Sequence, residues 1–174
     1  LDRADAAMYR AKQSGRNAYQ LYNREIHERI VERAQIESAI VHALEQKQFF
    51  LAYQPQVDIR SGAIVGAEAL LRWNHPELGV VPPNRFIPIA EESHAINRIG
   101  AWVLEEACRQ CREWHDEGLG PLTIAVNLSV RQLNGFELVR LVERTLASTG
   151  LPANCLKLEL TESMMMSDVE MTLD

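Results

Sequence analysis

The chain has 174 residues, with 18 Lys+Arg against 24 Asp+Glu and a formal net charge of −6. Hydrophobic residues make up 47% and charged residues 24%, which excludes a disordered or collagen-like chain. No run approaches the ~18 uncharged apolar residues of a membrane helix. The opening LDRADAAMYR has no signal-peptide core. Three cysteines argue against a disulfide framework and for a reducing, cytoplasmic compartment. The chain opens in what reads as the turn before a helix and ends on VEMTLD within another, so it reads as a piece of a longer protein.

Charge divides the chain. Residues 1–36 hold 7 Lys+Arg and 5 Asp+Glu, net +2, whereas residues 37–174 hold 11 and 19, net −8. An acidic body lacks the footprint of a protein that binds a nucleic-acid polymer. It does not exclude a small anion held by one or two arginines or by metal ions.

In chain order, Ala4, Ala7, Met8 and Ala11 recur at helical spacing up to Gly15, and Asn17 to Leu21 reads as a short strand. From Tyr22 to Gln46 the pattern is helical, with an apolar stripe of Ile26, Ile30, Ala34, Val41 and Leu44. It reads as one long helix or as two meeting near Ala34, and as a rigid connector. The texture then changes. Phe49–Asp58 and Ile64–Trp73 are strands joined by a turn at Arg60-Ser61-Gly62, close enough for a hairpin. Asn84–Glu92 is a short helix opened by Pro82-Pro83, and Ile96–Glu117 is a long helix stopped by Gly118 and Gly120. Leu122–Ser129 is an apolar strand, Glu137–Ser148 a helix, Leu156–Thr161 a strand, and a helix begins at Ser167. Strands alternating with helices imply an α/β fold with a largely parallel, helix-covered sheet, and a barrel is one way to close it.

Three strands carry oxygen-bearing side chains near their ends: Glu68 in IVGAEALLRW, Asn127 in IAVNLS and Glu159 in LKLELTES. A carboxylate or amide on an apolar strand is costly to bury without a partner. Three of them can converge at one mouth of a barrel, and oxygen ligands suit hard cations such as Mg²⁺ or Mn²⁺. The alternative for each alone is a side chain facing solvent or pairing with a nearby arginine.

Glu68-Ala69-Leu70, in the setting EALLRWNHP, resembles the signature of the EAL family of cyclic-di-GMP phosphodiesterases. The resemblance continues through YQPQVD (53–58), PPNRFIPIAEES (82–93), NLSVRQL (127–133) and LELTES (158–163), and it covers residues 37–174 without a gap. It implies a modified TIM-type (β/α)8 barrel whose first strand runs against the others, of which this chain holds the N-terminal part. Residues 1–21, with ADAAMYRAKQSGRNAY, resemble the C-terminal end of a GGDEF diguanylate cyclase domain. That family's phosphate-contacting Lys and Arg would match Lys12 and Arg16; in this chain they read as solvated charges at a helix end. Residues 22–36 form a helical linker between the two.

Carried over residue by residue, the resemblance implies metal ligands at Glu68, Asn127 and Glu159, with Glu68 and Glu159 as the catalytic carboxylates. It implies substrate contacts at Gln54, toward the guanine-nucleotide portion, and at Arg72, toward a phosphate. Leu71, Pro83 and Phe86 would help shape the pocket wall, and Glu91 would stand behind the ligands. The implied activity is Mg²⁺- or Mn²⁺-assisted hydrolysis of cyclic-di-GMP to the linear dinucleotide pGpG. The alternative is a degenerate EAL domain that only binds the dinucleotide as a sensor. The family's paired aspartates, lysine and further glutamate would follow residue 174, so residues 1–174 alone are expected to be inactive. Implied partners are cyclic-di-GMP, a second EAL domain in a homodimer, and upstream GGDEF and sensory domains in the same chain; any membrane anchor of the parent would also lie upstream.

Other chemistry-bearing residues read as structural. Cys108 and Cys111 form a CxxC inside a helix, two ligands short of a structural zinc site. Trp73, Trp102 and Trp114 read as core, with Trp73 also near enough in sequence to border the pocket. His75 reads as a turn residue.

Overall fold

Residues 24–132 and 135–160 are described by the structure, a computed structural model of the chain. The helix and strand expected over 1–21, Lys12, Arg16 and the helix expected from Ser167 lie outside the described residues.

The connector is one helix, α1 (Arg24–Ala43). Its buried stripe is Ile36, Ile40 and Ala43, with Ala39 and Leu44 packed beside them. This corrects the stripe drawn from sequence: Ala34 and Val41 are exposed. Two residues separate Ala34 from Ile36, about 200° of helical rotation. The phase is set by docking onto α2 (Pro83–Glu92), with Arg33 paired to Glu92 at 2.5 Å and Glu32 paired to Arg85.

β1 (Phe49–Val57) and β2 (Ile64–His75) form the expected antiparallel hairpin, in register from Phe49↔Trp73 through Gln54↔Glu68, with an irregularity at Gln56/Val57. Asp58 closes the turn by accepting from Ser61 N at 2.8 Å and Ser61 Oγ at 2.7 Å, and these bonds hold its carboxyl below the usual range. β2 runs two residues beyond the expected end because Trp73–His75 pair with a three-residue strand, β3 (Gly79–Val81), which the sequence reading did not include. His75 caps the intervening turn, its Nδ1 accepting from Glu77 N and Leu78 N.

Helix α3 (Ala95–Asp116) buries Ile96, Ile99, Val103, Leu104, Ala107, Cys108 and Cys111 along one face. β4 (Thr123–Leu128) follows, then a 3-10 turn (Val130–Gln132), α4 (Gly135–Thr149), a second 3-10 turn (Ala153–Cys155) and β5 (Leu156–Leu160). The sheet order is β1-β2-β4-β5, with β3 beside the end of β2. β1 is antiparallel to β2, and β2, β4 and β5 are mutually parallel, as an α/β fold with a reversed first strand requires.

Alternation divides the sheet into two faces. Ala67, Ala69 and Trp73 of β2 and Ile124, Val126 and Leu128 of β4 are buried. On the helix-covered side Trp73, Phe49 and Phe86 form an aromatic cluster with ring centroids 5.5–5.8 Å apart. Trp73 Nε1 donates to Gln48 Oε1 at 2.9 Å, which satisfies the buried indole. Trp73 therefore faces away from Glu68 and does not border the candidate site. Phe86 is likewise core and forms no part of the pocket wall. Among the described residues no helix is long and apolar enough to cross a membrane.

Candidate functional site

The opposite face collects the residues singled out from sequence. Gln54 stands in register with Glu68, Glu68 with Ala125, and Asn127 with Glu159. Residues in register share a face, so Gln54, Glu68, Asn127 and Glu159 project from four adjacent strands on one side of the sheet. Asn127 and Glu159 are each next to last in their strands, as expected, whereas Glu68 lies mid-strand because β2 continues into its pairing with β3. The close packing of β2 against β4 needs Gly66: a Cβ there would sit 2.5 Å from the Thr123 carbonyl oxygen.

Asn127 Nδ2 donates to Glu68 Oε1 at 2.7 Å, joining β2 to β4 across the face. That orientation leaves the Asn127 Oδ1 as an acceptor beside the two carboxylates. Two carboxylates and an amide oxygen on neighbouring strands suit a hard divalent cation better than a soft one. Glu68 and Glu159 are half-buried and Gln54 and Asn127 are exposed, so the face is open to a ligand.

Arg72 lies on the same face, four residues and about 13 Å along β2 from Glu68. Its Nη1 donates to the Leu71 carbonyl at 2.9 Å. A ligand touching both the Glu68–Asn127 pair and Arg72 must be extended and carry more than one polar group.

Behind this end of the sheet is a cavity of about 280 Å³. Leu71 and Pro83 line it, as expected, together with Arg72, Glu91 and Asn127. Its apolar wall comes largely from α3. Glu91 Oε1 accepts from Ser129 Oγ at 2.6 Å, and Gln132 Oε1 accepts from Ser129 N at 3.0 Å. Ser129 and Gln132 were not singled out from sequence, although both lie within NLSVRQL; a single serine or glutamine in a loop carries no spacing signal.

Cys108 and Cys111 are buried in the core, and burial pushes their thiols up to about 12 and 11. His115 Nε2 accepts from Leu122 N at 3.0 Å, and Cys111 Sγ donates to the Leu122 carbonyl. The pair anchors the loop before β4, and among the described residues no cluster of three His, Cys, Asp or Glu forms a metal site. Glu162 of LELTES lies outside the described residues.

A helix-covered sheet with a reversed first strand and oxygen donors along its open face defines the class: an α/β fold with a candidate site on the strands. The chain belongs to the EAL domain family, whose pattern matches residues 37–173. It is 44% identical over 170 residues to the bifunctional diguanylate cyclase/cyclic di-GMP phosphodiesterase MucR of Pseudomonas aeruginosa, covering 98% of this chain and 25% of that protein. It is 36% identical over 170 residues to the cyclic di-GMP phosphodiesterase PdeR of Escherichia coli, covering 98% and 25%. Among solved structures it resembles the MucR phosphodiesterase in complex with c-di-GMP, with a TM-score of 0.73 and 45% identity over 80% of this chain and 56% of that one. The chain thus spans about a quarter of these relatives' length and little more than half of that solved domain.

Proposed function

We propose that the protein containing this chain hydrolyses cyclic-di-GMP to pGpG by metal-assisted attack on a phosphodiester. The observation that carries the reading is the Asn127–Glu68 hydrogen bond with Glu159 in register beside Asn127. It supports a cation held by Glu68, Asn127 and Glu159, Mg²⁺ or Mn²⁺ by donor type. When bound, such a cation supplies Lewis acidity toward the phosphodiester and toward an attacking water. Glu68 and Glu159 offset its charge, and Asn127 contributes an oxygen without a further negative charge. Arg72 would turn from the Leu71 carbonyl to a substrate phosphate, where its forked donors give a bidentate contact. Gln54, in register with Glu68 but two strands from Asn127, would meet the nucleotide portion at the other side of the site.

The extent of the match to a bifunctional cyclase/phosphodiesterase supports the division proposed above, with residues 1–21 closing a GGDEF domain, 22–36 linking, and 37–174 forming part of the EAL domain. Further ligands would come from strands beyond residue 174, so residues 1–174 alone should not turn over substrate. Pairing through the EAL domain and control by upstream sensory segments complete the proposal.

The test is turnover by the intact protein, followed as pGpG formation with added Mn²⁺ and compared with Glu68→Gln. Turnover that disappears in the variant is expected. Tight binding of cyclic-di-GMP without hydrolysis would favour the sensor reading, and turnover unchanged by Glu68→Gln would remove Glu68 from the site.

A further inference from the structure

We infer that Glu91, acting through Ser129, is a positioning residue that fixes Asn127 in the cation site; the inference rests on the proposed ligand role of Glu68, Asn127 and Glu159. Asn127 is exposed and next to last in β4, so packing alone does little to hold it. What holds the strand end is the residue two places on. Ser129 is only 9% exposed, and all of its polar groups are engaged. Its Oγ donates to Glu91 Oε1 at 2.6 Å and accepts from Arg131 N at 3.3 Å. Its N donates to Gln132 Oε1 at 3.0 Å, and its carbonyl accepts from Gln132 N at 2.9 Å.

Glu91 reaches this loop from the last turn of α2, 38 residues earlier in the chain. A hydroxyl donating to a carboxylate is shorter and stronger than a neutral pair. The helix that presents Glu91 is itself held from its other side, since Glu92 pairs with Arg33 and Arg85 with Glu32 of α1. Gln132 lies against Gly100 of α3: a Cβ at position 100 would fall 1.8 Å from its Nε2, so a larger residue there would push the amide aside. Glu91, Gln132, Arg72 and Asn127 all border the 280 Å³ cavity. The carboxylate of Glu91 thus stands behind the site, oriented toward the loop that follows Asn127. Groups that orient metal ligands in this way commonly change metal affinity by about 10- to 100-fold when removed.

The experiment measures Mn²⁺ binding to the intact protein by paramagnetic resonance of free Mn²⁺, alongside thermal unfolding. Wild type is compared with Glu91→Ala, Glu91→Gln, Ser129→Ala, the Glu91→Ala/Ser129→Ala double variant and Glu68→Gln. Glu91→Ala and Ser129→Ala should each weaken Mn²⁺ binding about 10-fold or more. Glu91→Gln, which keeps an acceptor, should fall between Glu91→Ala and wild type. The double variant should be no weaker than the weaker single one, because both changes break the same link. Mn²⁺ affinity unchanged in Glu91→Ala and Ser129→Ala, whatever their melting temperatures, would overturn the positioning role while leaving the cation site standing. Additive losses in the double variant would overturn the route through Ser129. If wild type binds no Mn²⁺, or Glu68→Gln binds it equally well, the cation site itself falls, and the inference with it.

Discussion

Replacing Asn127 by aspartate probes the convergence of β2 and β4 without any reaction. The amide donates to Glu68 Oε1 at 2.7 Å, and Asn127→Asp puts a second carboxylate in its place. Two unit charges 2.7 Å apart repel by about 1.5 kcal/mol at the permittivity of bulk water. The exposure of Asn127 and the partial exposure of Glu68 make that limit the appropriate one. Loss of the hydrogen bond adds about 1 kcal/mol. Asn127→Ala loses the bond but gains no repulsion. Near neutral pH and without divalent cations, the aspartate variant should therefore be about 1.5 kcal/mol less stable than the alanine variant. The sign with pH follows from the like-charge pair. Each carboxylate raises the other's folded-state pKa above its unfolded value, so the penalty is present at neutral pH and fades as pH falls through the carboxylate range. Saturating Mn²⁺ should also close the gap, because a cation held by both carboxylates binds only the folded state. Denaturant unfolding of the intact protein, at neutral and acid pH and with and without Mn²⁺, reads all three effects. Equal stability of the two variants at neutral pH, with no response to acid or cation, would refute the placement of Asn127 against Glu68.

Arg72→Ala in the intact protein should lower kcat/KM for cyclic-di-GMP by about 10-fold or more, the value of one charge-assisted phosphate contact; unchanged kinetics would leave Arg72 with its Leu71 carbonyl alone. Ser61→Ala removes the hydroxyl donor to Asp58 and leaves the backbone N–H, so the Asp58 carboxyl should titrate higher, part of the way toward its ordinary value of 3.8, in an NMR titration. The wild-type turn's pH-dependent contribution is present above the unfolded carboxylate pKa and lost as pH falls through the depressed folded one, and an unmoved titration would sever it from Ser61. Cys108 and Cys111, buried and with thiols pushed up to about 12 and 11, should resist iodoacetamide at pH 8 in the native protein and react on unfolding. Rapid native labelling would contradict their place in the core.

The strands and helices from Phe49 onward were legible because each has its own period and its own stop. Ile64–Trp73 differs from the observed strand by two residues at its end, and Leu156–Thr161 is strand over its described part, Leu156–Leu160. β3 was not legible: a three-residue strand has no period, and it exists because Trp73, Asn74 and His75 offer it partners. The phase of α1 was misread for a related reason. Ile30, Ala34 and Val41 make an acceptable stripe in isolation, but the face that counts is chosen by α2, whose Arg85 and Glu92 pair with Glu32 and Arg33. Charges about one turn from the buried stripe decide nothing in a window of sequence and decide the docking in the fold. Phe86 was placed at the pocket wall, with Pro83, by the family resemblance. In a helix three residues reach nearly the same face, but Phe86 meets Phe49 and Trp73 on the buried side while Pro83 lies at the cavity's edge.

The common face of the candidate residues follows from strand register, because sheet parity does most of the work. Side chains alternate with a period of two, so one correct pairing places every residue of two strands. The pairing of Gln54 with Glu68 puts both on the face opposite Trp73, and the pairing of Glu68 with Ala125 carries Asn127 onto that same face. The pairing of Asn127 with Glu159 adds the third donor. A slip of one residue between β2 and β4 would turn Asn127 into the helix layer and bring Val126 or Leu128 to the open face. Gly66 opposes that slip, since it is the position where β2 and Thr123 approach too closely for any side chain, and the irregularity at Gln56/Val57 falls beyond Gln54 and leaves its pairing intact. Three polar residues on three apolar strands thus reach one surface through register alone, before any cation or substrate is present to draw them together.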